Sequence, residues 1–310
     1  MQPDQASDAT AMPFPNAERK AKPAFRQAWV TFAACVACII VHIGLTSAPN
    51  PESWETLTKW GYAPANVIRD GNYWPLLTSN FVHLALWHLV FNVLCLWQFG
   101  SRMERRIGSR WYLAFVLVAA CLCSSYQLAT LDDTGIGISG VVYAIFGFML
   151  VVRHRVPEFR AILPKNTVIF FVGWLFACVV LTQMKILNVG NASHFSGFLF
   201  GCLASAVFVA RYLLAITVPA LVITIVLAIV PLFWCPWSVS WLSHRAYQVH
   251  QAQQYHKAID LYSQIIALDP ANAWAYYNRS GLYSLTGETL KAESDYERAL
   301  KIDPNIEVAQ

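Results

Sequence analysis

Charge is what this sequence has least of. Only 13% of its 310 residues are charged, about half the roughly 25% of an ordinary soluble domain. That excludes a heavily solvated chain and leaves either a large soluble core or a membrane protein. The length of the apolar runs decides between them, because a spanning helix needs about 20 apolar residues. Runs near that length occur at 28–45, 84–99, 111–130, 138–152, 166–184, 193–210 and 213–237. The fourth is short and ends in Arg153, which can snorkel to the interface. Seven spans are predicted.

Cysteine outside the apolar runs is also missing. All eight cysteines fall inside them. Cys35 and Cys38 have a metal ligand's spacing, but no second cysteine or histidine pair accompanies them. Buried packing residues are the expected reading, with no metal site. The net charge of +4 carries no call for nucleic acid.

The few cations are placed unevenly. Arg19, Lys20, Lys22 and Arg26 precede the first run, and Arg102, Arg105, Arg106 and Arg110 follow the second. Arg153, Arg155, Arg160 and Lys165 follow the fourth, and Arg211 the sixth. The alternate connections hold only Lys59, Arg69 and Lys185. The positive-inside rule then puts the N-terminus in the cytoplasm. The first run is longer than the apolar core of a signal peptide, so it is expected to be retained. Asp4, Asp8 and Glu18 speak against a transit peptide, which is poor in acids. A bacterial inner membrane is the expected location.

Four regions follow. Residues 1–27 are polar and proline-containing. Residues 28–212 hold six runs, with an aromatic connection at 46–83 (Trp54, Trp60, Tyr62, Tyr73, Trp74) suited to the membrane interface. Residues 213–237 are a seventh span, although Pro219, Pro231 and Pro236 leave open a segment that breaks or re-enters. Residues 240–310 are polar and repetitive. Leu268-Asp269-Pro270 returns as Ile302-Asp303-Pro304 thirty-four residues later, and Ala258 and Tyr262 return as Ala292 and Tyr296. That is the tetratricopeptide period. In the first copy Gln253 stands where a turn glycine is usual. Two units are fewer than the roughly three that stand alone, so the tail is expected to lean on the last span, a second protomer or a protein partner. With seven crossings the tail lies outside the cytoplasm.

Three polar clusters interrupt the runs. His83, His88 and Asn92 open the second, and His88 and Asn92 share a helix face. Gly137-Ile138-Ser139-Gly140 opens the fourth. His194, Gly197 and Gly201 open the sixth. These three runs cross in the same direction, so all three clusters sit near one, external, membrane face. Polar residues inside a span are costly and usually mark function. A G-x-S-G nucleophile elbow needs a preceding strand, and none fits here. Glycines at these spacings let spanning helices approach closely, which brings Ser139 within reach of His194 as an activated nucleophile and its base. Tyr143, one turn below Ser139, supports the imidazole. His88, Asn92 and the Ser139 backbone N–H are donors for an oxyanion. No acid lies on these spans near the clusters, so a Ser–His pair without a third member is expected. A polar-pore transporter would carry ionisable groups to both faces; here they gather at one.

Over residues 28–212 the chain resembles the rhomboid family. The resemblance rests on Trp60-Gly61, Gly71, Trp74, Leu77-Thr78, Phe81, His83, His88, Asn92, Gly100, Glu104, Gly108, Gly137-Ile138-Ser139-Gly140, Tyr143, His194, Gly197 and Gly201. It implies an all-α six-helix membrane bundle with an additional seventh span. It implies an intramembrane serine endopeptidase acting on transmembrane protein substrates in lipid, without a cofactor. By resemblance Ser139 and His194 are catalytic, His88 and Asn92 help form the oxyanion site, and Tyr143 stacks on the histidine. It further suggests a substrate gate between the second and fifth spans, where Phe91 could stand. Pro75 departs from the family, which usually has arginine there to brace the first loop. The alternative is a non-proteolytic adaptor that binds client transmembrane helices and recruits partners through its tail. Retention of both Ser139 and His194 argues for the enzyme.

Overall fold

The computed structural model describes residues 28–209 and 211–306. The polar segment 1–27, with four of the cations that set the predicted orientation, lies outside the described residues. So does the side chain of Arg211. Among the described residues every regular element is helical.

Helices occupy all seven apolar runs. In chain order they are α1 (Trp29–Thr46), three short helices of the first loop, α2 (Trp54–Lys59), α3 (Ala65–Arg69) and α4 (Pro75–Thr78), then α5 (Leu86–Cys95). A five-residue π turn, Leu96–Gly100, joins α5 to α6 (Ser101–Ile107). There follow α7 (Ser109–Leu131), α8 (Ser139–Val152), the short α9 (Pro157–Ile162), α10 (Lys165–Gln183), α11 (Asn191–Val209) and α12 (Leu214–Phe233). Among the described residues α1, α7, α10 and α12 are long and apolar enough to cross a bilayer unaided, and the bent pair Pro75–Phe81 and Leu86–Ile107 makes a fifth candidate. Pro219 and Pro231 sit inside α12 without interrupting it.

The centre of the bundle is α8. It has 14 residues, about 21 Å at 1.5 Å per residue, against a hydrocarbon core of about 30 Å. Residues from Gly140 to Met149 are buried throughout. Glycine decides its packing. A methyl added at Gly201 would stand 1.9 Å from the Ala144 carbonyl oxygen, and one at Gly197 would stand 2.2 Å from that of Gly140. A methyl at Gly147 would meet the Phe198 carbonyl at 2.4 Å. Backbone therefore meets backbone between α8 and α11, the contact that small residues permit where lipid supplies no hydrophobic drive. At the far end Glu104, 1% exposed, accepts from the Val30 and Thr31 N–H groups at 3.0 and 2.8 Å and from Ser109 Oγ at 2.6 Å. A carboxylate at the start of α1 satisfies donors that the helix itself cannot.

The tail is two helix hairpins, α13 (Val239–Gln251) with α14 (Tyr255–Leu268), and α15 (Ala273–Leu285) with α16 (Thr289–Ile302). Each helix of the second pair begins and ends thirty-four residues after its counterpart. The caps repeat too: Ser238 accepts from Trp241 N–H and Asn272 from Ala275 N–H. Gln253 has φ +57, the left-handed conformation that Gly287 adopts at φ +84 in the second copy. The same turn is made without the glycine, at a cost of about 1–2 kcal/mol for a residue with a Cβ. Arg279 joins the last two helices by a two-pronged pair with Asp295, at 2.6 and 2.9 Å.

Candidate active site

Three glycines prepare the site. Gly137, at φ +94, passes under His88 so closely that a Cβ would stand 2.5 Å from Cε1. Only a residue without a side chain makes that approach in that conformation. Its N–H is held by the Ser79 carbonyl at 3.2 Å. Two residues later Ser139 opens α8. The close contacts at Gly140 and Gly197 then draw the first turn of α11 against the first turn of α8.

The result is one cavity of about 710 Å³ that takes in Ser139, His194, His88, Asn92, Gly137 and Tyr143. His194 Nε2 lies 2.7 Å from Ser139 Oγ. His194 is buried at 5% exposure, and its Nδ1 meets no hydrogen-bond partner among the described residues. The ring is held instead by Tyr143, whose centroid is 4.8 Å away at a 38° tilt. Tyr143 donates its hydroxyl to the Phe171 carbonyl at 3.1 Å, which fixes it between α8 and α10.

The opposite wall is built around His83. His83 lies in the entering loop, between Phe81 and α5, and is fully buried. Its Nδ1 is 3.1 Å from the Phe81 carbonyl. A carbonyl only accepts, so Nδ1 carries the proton and Nε2 is left as an acceptor. Asn92 Nδ2 donates to it at 3.2 Å. One amide hydrogen of Asn92 is thereby committed and the amide plane is set. His42 of α1 donates from Nδ1 to the His83 carbonyl at 2.7 Å.

Sequence reading missed His42. Its signal was a lone histidine one turn from the end of an otherwise apolar helix. Gln127 was missed as well: it lines the cavity and accepts the Ser193 N–H at 3.4 Å. Asp133, a loop residue that lies on none of the spans, also lines the cavity. The loop folds back because Asp133 Oδ1 accepts the Gly135 N–H at 2.6 Å. Burial raises the Asp133 carboxyl above the usual range.

The side of the cavity is aromatic. Phe91 of α5 is 37% exposed, and its ring centroid lies 6.3 Å from those of both Phe170 and Phe171 on α10. The second and fifth membrane helices thus meet there through ring contacts.

Together these features define a polytopic all-α membrane protein with a serine and a histidine paired in a cavity between its helices. Residues 70–211 match the family model of the rhomboid domain, and residues 261–294 match that of a tetratricopeptide repeat. The chain is 30% identical over 174 residues to the rhomboid protease GlpG of Yersinia pseudotuberculosis serotype I (strain IP32953), which covers 56% of this chain and 60% of that protein. To the rhomboid protease GlpG of Salmonella choleraesuis (strain SC-B67) it is 27% identical over 172 residues, with the same coverage. The chain thus matches about 60% of the length of these curated relatives.

Proposed function

We propose that this chain is an intramembrane serine endopeptidase that cleaves transmembrane proteins with a Ser139–His194 pair. The 2.7 Å contact between Ser139 Oγ and His194 Nε2 carries the reading. His194 accepts the hydroxyl proton as Ser139 Oγ attacks the scissile carbonyl. The oxygen that gains charge faces the free amide hydrogen of Asn92, His88 and the backbone N–H of Ser139. That N–H belongs to the first turn of α8 and has no partner inside the helix. Donors fixed before the reaction stabilise the developing charge without reorganising. His194 then passes its proton to the leaving amine, and water attacking the acyl ester returns Ser139. Tyr143 keeps the imidazole in plane with Ser139 through both transfers.

The substrate is a membrane protein segment, entering sideways between α5 and α10 past Phe91. The N-terminus is cytoplasmic and the repeat tail lies on the side of the cavity mouth, where it docks the external part of a client or a partner. The continuity of α12 supports that placement. Impermeant labelling of single cysteines in the tail, in intact cells after replacement of the native eight, tests it. Labelling only after lysis would overturn it.

The activity is tested with a fluorophosphonate probe and a spanning model substrate in detergent. Wild type should label and cleave; Ser139→Ala should do neither. A wild-type protein that binds the substrate helix, yet neither labels nor cleaves, would favour the adaptor.

A further inference from the structure

The strap that delivers Ser139 is tied to the repeat tail by a buried arginine. Arg69, the last residue of α3 in the first loop, has a side chain only 1% exposed. A guanidinium removed from water persists only if its donors are matched. Nη1 donates to the Pro231 carbonyl at 2.7 Å, Nη2 to Ser238 Oγ at 3.3 Å and Nε to Ser240 Oγ at 3.4 Å. The Pro231 carbonyl is one of the last in α12 and lacks a helical partner, and a cation is favoured at that end of the helix dipole. Nη2 is also 3.7 Å from Asp132 Oδ1.

Asp132 closes the network. It ends α7 in the left-handed conformation, at φ +57. Its carboxylate accepts from Ser238 Oγ, from Ser240 Oγ at 2.8 Å and from the Ser240 N–H at 3.2 Å. Two further bonds join the same parts. His244 of α13 meets Asp70 at 3.2 Å, and Trp237 Nε1 donates to the Ala129 carbonyl at 2.9 Å. The first loop, the end of α7 and the base of the tail are thus held as one piece.

The strap begins at that piece. Residues 133–138 run from Asp132 to Ser139, and include Asp133 on the cavity wall and Gly137 beneath His88. Its upstream end is Asp132, and its downstream end is Ser139.

We infer that Arg69 and Asp132 are positioning residues: their clamp, completed by Ser238 and Ser240 at the root of the tail, sets the strap that places Ser139 and its backbone N–H. The inference rests on the protease reading for its kinetic consequence, and on geometry alone for its structural one. Strain applied to the tail, by a bound partner or its removal, reaches Ser139 by this route.

The test uses the full chain in detergent with Arg69→Gln, Asp132→Asn, the double variant and Arg69→Lys. Three quantities are read: kcat and KM on a spanning substrate, the rate of fluorophosphonate labelling, and hydrogen exchange of residues 133–138. Misplacement of a reacting group by about 1 Å can cost about a hundredfold. Arg69→Gln and Asp132→Asn should lower kcat and the labelling rate about ten- to a hundredfold with KM little changed. The double variant should be no worse than the poorer single one, because the two act as a unit. Arg69→Lys, which keeps the charge and loses the fork, should recover part of the rate. Strap exchange should rise in step with the loss. Folded variants with wild-type kcat, labelling and strap exchange would overturn the clamp while leaving the protease intact. If Arg69→Gln fails to fold, the milder Ser238→Ala/Ser240→Ala pair carries the same expectation. If wild type itself neither labels nor cleaves, the protease reading falls. Strap exchange then decides alone, and an unaltered strap in the variants overturns the clamp.

Discussion

The membrane bundle and the repeat tail solve helix packing in opposite ways. Helices of the bundle are apolar nearly all round: α12 leaves Ile216 at 67% and Ile223 at 56% exposed, faces that suit lipid. Burial of apolar area cannot choose a register there, because lipid is as apolar as leucine. Register comes from glycines that let carbonyls touch and from a few satisfied polar groups. Tail helices have one apolar stripe and one wet face, so water supplies the drive. Tyr262, Ala258, Ala246 and Leu242 fill that stripe with no exposure. Polar residues in the tail are mostly solvated, and their loss is mild. Polar residues in the bundle are few and nearly all committed, so each is expected to matter.

The largest test of this contrast is the paired serine and histidine. Ser139→Ala and His194→Ala should each cut turnover by about 10⁴-fold or more, with the double variant no worse, as for residues acting as a unit. Substantial cleavage by purified Ser139→Ala protein would sink the assignment. Next comes Asn92→Ala. Loss of one oxyanion donor costs about 10²–10³ in kcat, and the lower end is expected because His88 and the Ser139 N–H remain. Unchanged kcat would return Asn92 to a packing role beside His83.

The tail sharpens the comparison from the other side. A chain ending at Ala252 keeps α13 and every partner of Arg69. It should cleave a generic spanning substrate within about twofold of wild type. Clients with a matching external segment should lose about tenfold or more in kcat/KM, since linked sites act through effective concentration. Equal loss for both substrates would make the repeats part of the catalytic machinery. Phe91→Ala should speed cleavage a few-fold by loosening the contact with α10. Its stability cost should fall below the roughly 3–5 kcal/mol of a fully buried aromatic, because Phe91 is 37% exposed. A stable variant of unaltered rate would remove Phe91 from the gate. The smallest effect is expected at Gln253→Gly, which relieves a left-handed residue and should stabilise the tail by about 1 kcal/mol. Calorimetry of the full chain would show it, and a lowered tail transition would count against the strain.

Much of this was legible because the pattern is local. The seven apolar runs coincide with helices, the local structure in which an apolar segment satisfies its own backbone. The thirty-four-residue offset is reproduced at every helix end of the tail. Ser139, His194, His88, Asn92 and Tyr143 stood out as polar or aromatic neighbours at helix starts, and they line one cavity. Gly197 and Gly201 were expected to bring α11 close to α8, and a methyl added at either would stand only 2.2 or 1.9 Å from a carbonyl oxygen of α8. Pro75 raised a question about the first loop that its own neighbourhood could not answer. Arg69 ties that loop to residues more than 160 positions away.

By itself, then, the sequence determined that this is an all-helical membrane chain with a repeat tail, and it picked out polar residues that line one cavity. Hydrophobic length, glycine spacing and repeat period act over a few turns and are written in consecutive residues. Only the tertiary structure decided that one amide hydrogen of Asn92 is spoken for by His83, that His42 stands behind His83, and that Asp133 borders the cavity. It alone decided that Arg69, Asp132 and Ser238 meet. A lone arginine in an aromatic loop has no periodicity to betray its partners. What fixes them is the demand that a buried charge be neutralised and every donor filled, and that demand is met only where distant segments are folded together.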